Sequence, residues 1–441
     1  MRTYLDHNAT SPLLPEVLEA MLPYLTEGAA NPSSTHGDGQ RARLAIEEAR
    51  EEVAALAGAT ASEIVFTSGG TESANAAIAG AALALLPEGS SAFPPGAEAV
   101  STTFEHPAVH RALRGLEARG VRVSRVAPSR EGLVDADEVL AASGPGTFLV
   151  SVMQVNNEIG TVQPVQAIAE RCAERRIVFH ADAVQALGRL ALPAAAALTG
   201  LSAHKIGGPQ GVGALVVRKG TTLAPLLRGG PQELKRRAGT ENTAGIVGFG
   251  AAARLARARI GRYAPRLGAL RDCFEAGLLS RFPGAIVHGA AAPRVSNTSS
   301  FALPGLSAID LHVALDLMGF SVSTGTACSS GKTSPSYVLR ALGLPEEIAQ
   351  ASLRVSLGWT NTPEDVDRLL DALERAVTTL RGAGGRAPEL TANVVPGALQ
   401  AETKNHAGPV DLSRQPASAR CDDTRSDARA GPARPSEVRS S

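Results

Sequence analysis

Apolar residues recur at spacings of three and four over residues 41–57. Ile46, Ala49, Val53 and Leu56 would share one helix face there, and Gly58 offers a C-cap. Ile64-Val65-Phe66 then reads as a short buried strand. Ser68-Gly69-Gly70-Thr71 reads as a tight turn into an Ala-rich helix from Glu72. The same texture continues, with strands expected over 147–153, 176–180 and 214–218 and a helix over 165–175. Strands alternating with helices predict an α/β fold, a mostly parallel sheet covered on both faces.

The pattern changes after about residue 260. Helices at 308–317 and 363–380 mix with short strands at 295–301 and 353–356, which suggests a second, smaller α+β domain. From Gly382 the periodicity ends. Gly, Pro, Ala, Ser and Arg dominate, and no aromatic follows Trp359. Such a segment cannot bury enough apolar area to offset its ordering entropy. The expected organisation is a large α/β domain over 14–259, a small domain from 1–13 and 260–381, and a disordered tail over 382–441.

Composition narrows the function classes. Lys and Arg number 43 against 43 Asp and Glu, so the clustered positive charge that favours nucleic acid or anionic membrane is missing. The run from Ala76 to Leu86 is about half the ~20 residues of a membrane span. The opening Met1–His7 lacks the apolar core of a secretory leader, and a cytoplasmic protein is expected. Aromatics make up only 3%, so Ala and Gly fill much of the interior. The cysteines, Cys172, Cys273, Cys328 and Cys421, are too sparse for a disulfide framework or a CxxC pair. Cys172 and Cys273 fall in helical patterns and read as inert packing residues.

Four short stretches could carry chemistry. Ser68–Ser73 would aim backbone N–H groups and a positive helix end at an anion, with Thr71 adding a hydroxyl; a plain strand–helix turn is the bland alternative. His180-Ala181-Asp182-Ala183-Val184-Gln185 delivers Asp182 at a strand's C-terminal end, where it could meet a protonated ring nitrogen or simply cap a helix. Ser202-Ala203-His204-Lys205 precedes a Gly-rich run, and a lysine there could form a Schiff base or lie in a surface turn. Together the three supply the phosphate cradle, pyridinium partner and Schiff-base lysine of a pyridoxal 5'-phosphate (PLP) site. The fourth stretch, 323–332, places Cys328 among small residues, in a setting suited to an exposed nucleophilic thiol.

These residues, with Tyr4-Leu5-Asp6-His7-Asn8-Ala9-Thr10, Asn31-Pro32-Ser33-Ser34, Glu105-His106, Val155-Asn156-Asn157-Glu158, Gly239-Thr240 and Leu353-Arg354-Val355-Ser356, run in the order of a known family. The sequence resembles the class V aminotransferases, and within them the cysteine desulfurases of the NifS/IscS type. The likeness covers about residues 3–380. It implies PLP fold type I, with a seven-stranded, mostly parallel sheet and a smaller α+β domain. It also implies release of L-alanine from L-cysteine, with the sulfur left as a persulfide on Cys328.

The resemblance further implies roles at matching positions. Lys205 would be the Schiff-base lysine, Asp182 the partner of the pyridine nitrogen, and Gln185 that of the ring hydroxyl. His106 would stack on the ring and shuttle protons. Gly70, Thr71, Ser202 and His204 would hold the phosphate, and Thr240 would reach the site of the neighbouring subunit in a homodimer. Asn157, counted with the cofactor contacts as well, and Arg354 would hold the substrate amino acid. No intrinsic metal is implied, although Cys328 could share a transient iron–sulfur cluster. The expected acceptor is an iron–sulfur scaffold or a thiolation enzyme. Trp359 stands where the pattern carries a less bulky or a charged residue. An aminotransferase or a selenocysteine lyase is the nearest alternative, and a non-catalytic PLP-fold scaffold a more distant one.

Overall fold

The computed structural model describes residues 2–26, 30–86, 90–324 and 335–383, all within one compact unit, residues 1–389. The chain opens with β1 (Thr3–Tyr4), α1 (Pro15–Thr26) and α2 (Gly37–Ala57). It continues with β2 (Ile64–Thr67), α3 (Gly70–Leu83), β3 (Glu98–Thr102), α4 (Pro107–Glu117) and β4 (Arg122–Val126). Next come α5 (Ala136–Ala141), β5 (Thr147–Met153), α6 (Val165–Glu174), β6 (Val178–Asp182), β7 (Leu198–Ser202) and β8 (Gly213–Val217). The long α7 (Thr243–Arg281) leads to β9 (Ile286–Val287), β10 (Thr298–Ala302), α8 (Ala308–Leu317) and β11 (Phe320–Ser321). α9 (Tyr337–Ala341), α10 (Glu346–Gln350), β12 (Ser352–Ser356) and α11 (Pro363–Ala383) complete it.

The seven-stranded sheet has the order β2-β8-β7-β6-β5-β3-β4. Its strands are parallel from β7 through β4, and β8 runs antiparallel between β7 and β2. Both faces are covered, so alternate residues of one strand enter different cores. Ile64 and Phe66 join α2 and α7, whereas Val65 joins α3 and α4. Leu149 likewise faces α3 and α4, while Val150 and Val152 face α5 and α6. Small residues let the helices close in. A Cβ on Gly250 of α7 would stand 2.6 Å from Ala49 Cα of α2, which gives the aromatic-poor composition a packing reason.

A three-stranded antiparallel sheet, β12-β10-β9, and the parallel pair β1–β11 surround a separate apolar core with α8, α11 and the C-terminal half of α7. α7 serves both regions: Ile246 and Phe249 pack at the main sheet, and Leu270 and Phe274 at the small one. The boundary expected near 259/260 thus lies inside one continuous helix.

The expected elements recur with shifted ends. α2 begins at Gly37 because the His36 side chain accepts from Gly39 N and caps it. β6 begins at Val178 because Arg176 turns the chain at φ 58°. α11 runs to Ala383, two residues into the segment read as tail; 384–441, with Cys421, lie outside the described residues. Cys172 is buried in α6, and burial pushes its thiol up to about 12, as suits an inert packing residue. Cys273 is half-buried beside the small core.

One turn stores strain. Glu233, Leu234 and Lys235 adopt φ of 46°, 56° and 63° in succession, a conformation costing a non-glycine residue roughly 1–2 kcal/mol. The turn is anchored by Glu233, which is buried, makes a bidentate contact with Arg50 at 2.8 Å and accepts from Phe66 N through Oε2. Urea denaturation of Glu233→Ala is expected to show a loss of about 3 kcal/mol, because Arg50 loses its buried partner and keeps only the half-exposed Glu47. Lys235→Gly is expected to gain up to about 1 kcal/mol by releasing strain, net of glycine's unfolded entropy.

Candidate active site

Parallel strands end together, so whatever follows them collects at one edge of the sheet. β3 leads to Glu105 and His106, β5 to Asn157, β7 to Ser202–Lys205, and β6 ends on Asp182. The N-terminus of α3 points to the same edge with Gly70 and Thr71, and Gly69 leaves it without a side-chain cap. A cavity of about 330 Å³ there is lined by Gly70, Thr71, His106, Asn157, Asp182, Gln185, Ser202, His204, Lys205 and Arg354. Only glycine fits at position 70, since a Cβ would stand 2.7 Å from Val184 Cγ2.

Of the residues named from the sequence, two are not in this cavity. Thr240 is exposed outside it. Cys328 lies outside the described residues. Among the described residues no cluster of three or more His, Cys, Asp or Glu could hold a metal ion.

Lys205 Nζ donates to the backbone carbonyls of Asn8 at 2.5 Å and Ala9 at 2.8 Å. Gln185 Nε2 donates to the same Asn8 carbonyl, and Gln185 Oε1 accepts from Arg189. Asp182 accepts from Val184 N, and His204 Nδ1 meets Thr10 Oγ1 at 3.0 Å. Arg354, on β12 and only 2% exposed, donates from Nη2 to Asp6 Oδ1 at 2.6 Å and from Nη1 to Asn157 O at 2.9 Å. Three buried polar atoms at the cavity, Ser202 Oγ, Asn157 Oδ1 and Arg354 Nε, have no hydrogen-bond partner among the described residues. Buried polar groups are seldom left so, and these mark where a polar ligand is received.

The class V aminotransferase sequence profile matches residues 3–369. The chain belongs to the class V aminotransferase family. It is 44% identical over 381 residues to the cysteine desulfurase IscS of Dictyoglomus turgidum, covering 86% of this chain and 95% of that one. It also resembles a solved NifS-like protein, with 34% identity, a TM-score of 0.79 and coverage of 86% and 100%. A structure described as SspA in complex with cysteine is 33% identical at a TM-score of 0.71, over 81% of this chain and 99% of that one. The activity of this class V enzyme is cysteine desulfuration, and its family is PLP-dependent. The residues fit that cofactor: an uncapped helix start and the free Ser202 hydroxyl suit a phosphate, and Asp182 suits a ring cation.

Electrostatics in this class V site keep its imidazoles neutral. His106 caps α4, its Nδ1 accepting from Ala108 N, so that nitrogen carries no proton. Burial lowers its pKa, Asp182 opposes and Lys205 assists. Burial brings His204 down to about 4, with Lys205 adding to the shift.

The sequence reading gave no roles to Asp6, Asn8, Glu105 and Glu158. Glu105 is fully enclosed: burial pushes its carboxyl to about 8, against hydrogen bonds from Met153 N and Thr102, with Asp182 adding to the rise. Glu158, bonded by the Ser336 hydroxyl, is pushed by burial to about 7, against Ser336 and Arg354. Each folded pKa exceeds the unfolded value of 4.5, so the folded state holds protons that the unfolded chain releases. Their contribution is full below about pH 4.5 and is lost as pH rises through about 7 and about 8. Urea midpoints taken from about pH 5 to about pH 9 are expected to fall for the native enzyme and to fall less for Glu105→Gln. An equal slope in both would show that Glu105 is charged in the fold.

Asp6 fixes the guanidinium of Arg354. Asp6→Ala is expected to raise KM for L-cysteine about tenfold, with a smaller change in kcat, in steady-state assays.

Proposed function

We propose that this cavity holds PLP and L-cysteine together, and that Cys328 takes the sulfur as a persulfide. What carries the reading is the convergence of Lys205, Asp182, His106, Ser202 and Arg354 on one space at the sheet's carboxyl edge. Lys205 would anchor the cofactor, Asp182 face its ring nitrogen, and Gln185, whose amide is already bonded to Asn8 and Arg189, face the ring oxygen with its remaining N–H. Gly70, Thr71, Ser202 and His204 would hold its phosphate. Bound PLP supplies an electron sink that labilises the substrate's α-proton.

The protein's own groups do the rest. Arg354, steadied by Asp6, takes the substrate carboxylate with its free Nε–H, and Asn157 turns its unpartnered Oδ1 toward the amino acid. Lys205 Nζ, when not anchoring the cofactor, is held by the Asn8 and Ala9 carbonyls, and in that position it can take the substrate's α-proton and return it. His106, neutral and with its Nδ1 accepting from Ala108 N, serves as a second proton carrier. The Cys328 thiolate attacks the substrate sulfur. An S–S bond forms as the C–S bond breaks, the carbon keeps the bonding pair and takes a proton, and alanine leaves.

A homodimer follows from the same reading, with Thr240 serving the partner's phosphate. Exposed Leu18, Leu22 and Leu25 on α1, with Leu226 and Leu227, support such self-association. The separate apolar core around β10 and β12 supports the division into a large domain, 14–259, and a small one, 1–13 with 260–381. We assign the sulfur to an iron–sulfur scaffold or a thiolation enzyme in the cytoplasm. No helix among the described residues is long and apolar enough to cross a membrane.

The purified protein is expected to be yellow and to yield alanine and sulfide from L-cysteine with a reductant. Cys328→Ala is expected to keep the colour and lose sulfide release, and Lys205→Ala to lose the visible absorbance of anchored cofactor. Undiminished sulfide from Cys328→Ala would remove that residue from the reaction. Amino-group transfer without sulfide would indicate an aminotransferase.

A further inference from the structure

Behind the Lys205 turn lies a second cavity, of about 300 Å³, at the lower end of the roughly 300–1,000 Å³ of ligand sites. Five parts of the chain enclose it: residues 7–15, 188–189 and 205–207, one face of α7, and residues 358–360 after β12. Ala256, Arg259 and Tyr263 follow one another at three and four residues, so they share that helix face. Leu14, Ile206, Tyr263 and Trp359 make the lining chiefly apolar. Lys205 borders this cavity as well as the catalytic one.

The charge on its walls is one-sided. Arg189 and Arg259 line it, and among the described residues no carboxylate does. Arg189 is 5% exposed, and its Nη1 acceptors (Asn8 Oδ1, Gln185 O and Gln185 Oε1) are all neutral. Tyr263, which also bonds Arg189, has its phenol pKa raised by burial and stays uncharged. His7 is brought to about 4, by burial first and Arg189 second, and is neutral too. Arg259 pairs with half-exposed Glu16 at 3.3 Å and lies over the Trp359 ring at 5.4 Å. A guanidinium as deep as Arg189 is screened little by water and gains most from an anion placed beside it.

We propose that this cavity binds a small organic anion with an apolar body. Its carboxylate lies toward Arg189 and Arg259, and its body against Leu14, Ile206 and Trp359. The occupant braces the chain that follows the Arg354 strand against the turn that carries Lys205, without entering the catalytic cavity.

Trp359 is the sole tryptophan, so its emission reports this wall alone. The probe is 3-phenylpropanoate, titrated into the holoenzyme beside the neutral 3-phenylpropanamide. The expected result is a saturable change in Trp359 emission with the carboxylate, at least tenfold weaker binding of the amide, and unchanged visible absorbance of the cofactor. Ala256→Phe, which fills the space, and Arg259→Gln, which removes a charge, are each expected to weaken binding at least tenfold, whereas Arg354→Gln leaves it unchanged. Equal affinity for acid and amide, loss of binding in Arg354→Gln, or no tryptophan response overturns the proposal. Should the cavity variants fail to fold, calorimetry of acid against amide on the unaltered enzyme decides.

Discussion

The site depends on a buried polar segment that must find partners for its hydrogen-bonding groups. Residues 6–10 leave the small core at Leu5 and pass beneath the catalytic cavity. The Asn8 carbonyl accepts from both Lys205 and Gln185. The Asn8 side chain donates to Asn157 O and Thr298 and accepts from Arg189 and Asn297. Asp6 holds Arg354 and Thr10 meets His204. Leaving any of these buried groups unpaired costs about 1–3 kcal/mol, so the segment and the catalytic side chains fix one another.

The parallel sheet supplies the other half of the arrangement. It brings Asp182, His106, Asn157 and Lys205 to one edge, and the antiparallel β12 brings Arg354 from the small sheet. Cofactor and substrate contacts thus come from different layers, joined by α7 and by residues 6–10. The second cavity sits at that join, against both connections at once.

Much of this was legible because it is local. Strand, turn and helix around residues 64–83 announce themselves by period and by glycine, and Asp182 and Lys205 sit in short motifs at strand ends. Ends were less legible: nothing in a histidine at 36 or an arginine at 176 announces a cap or a left-handed turn. Asp6 and Asn8 were opaque for a different reason. Their partners lie 149 to 348 residues away, and a carboxylate or amide near the chain start looks like any exposed one until those partners are placed. Glu105 and Glu158 likewise look like ordinary surface acids in sequence, and only enclosure makes them proton holders.

The pairing of Asp6 with Arg354 has a consequence for how the chain is made. Its halves are separated by 348 residues of synthesis, on the order of tens of seconds at ribosomal rates. Throughout that interval the main sheet can assemble from neighbouring strands, while residues 6–10 wait without their distant partners. Completion of the active site is therefore a late event in synthesis, and a chain halted before β12 would carry most of the cofactor residues without the arginine assigned to the substrate carboxylate.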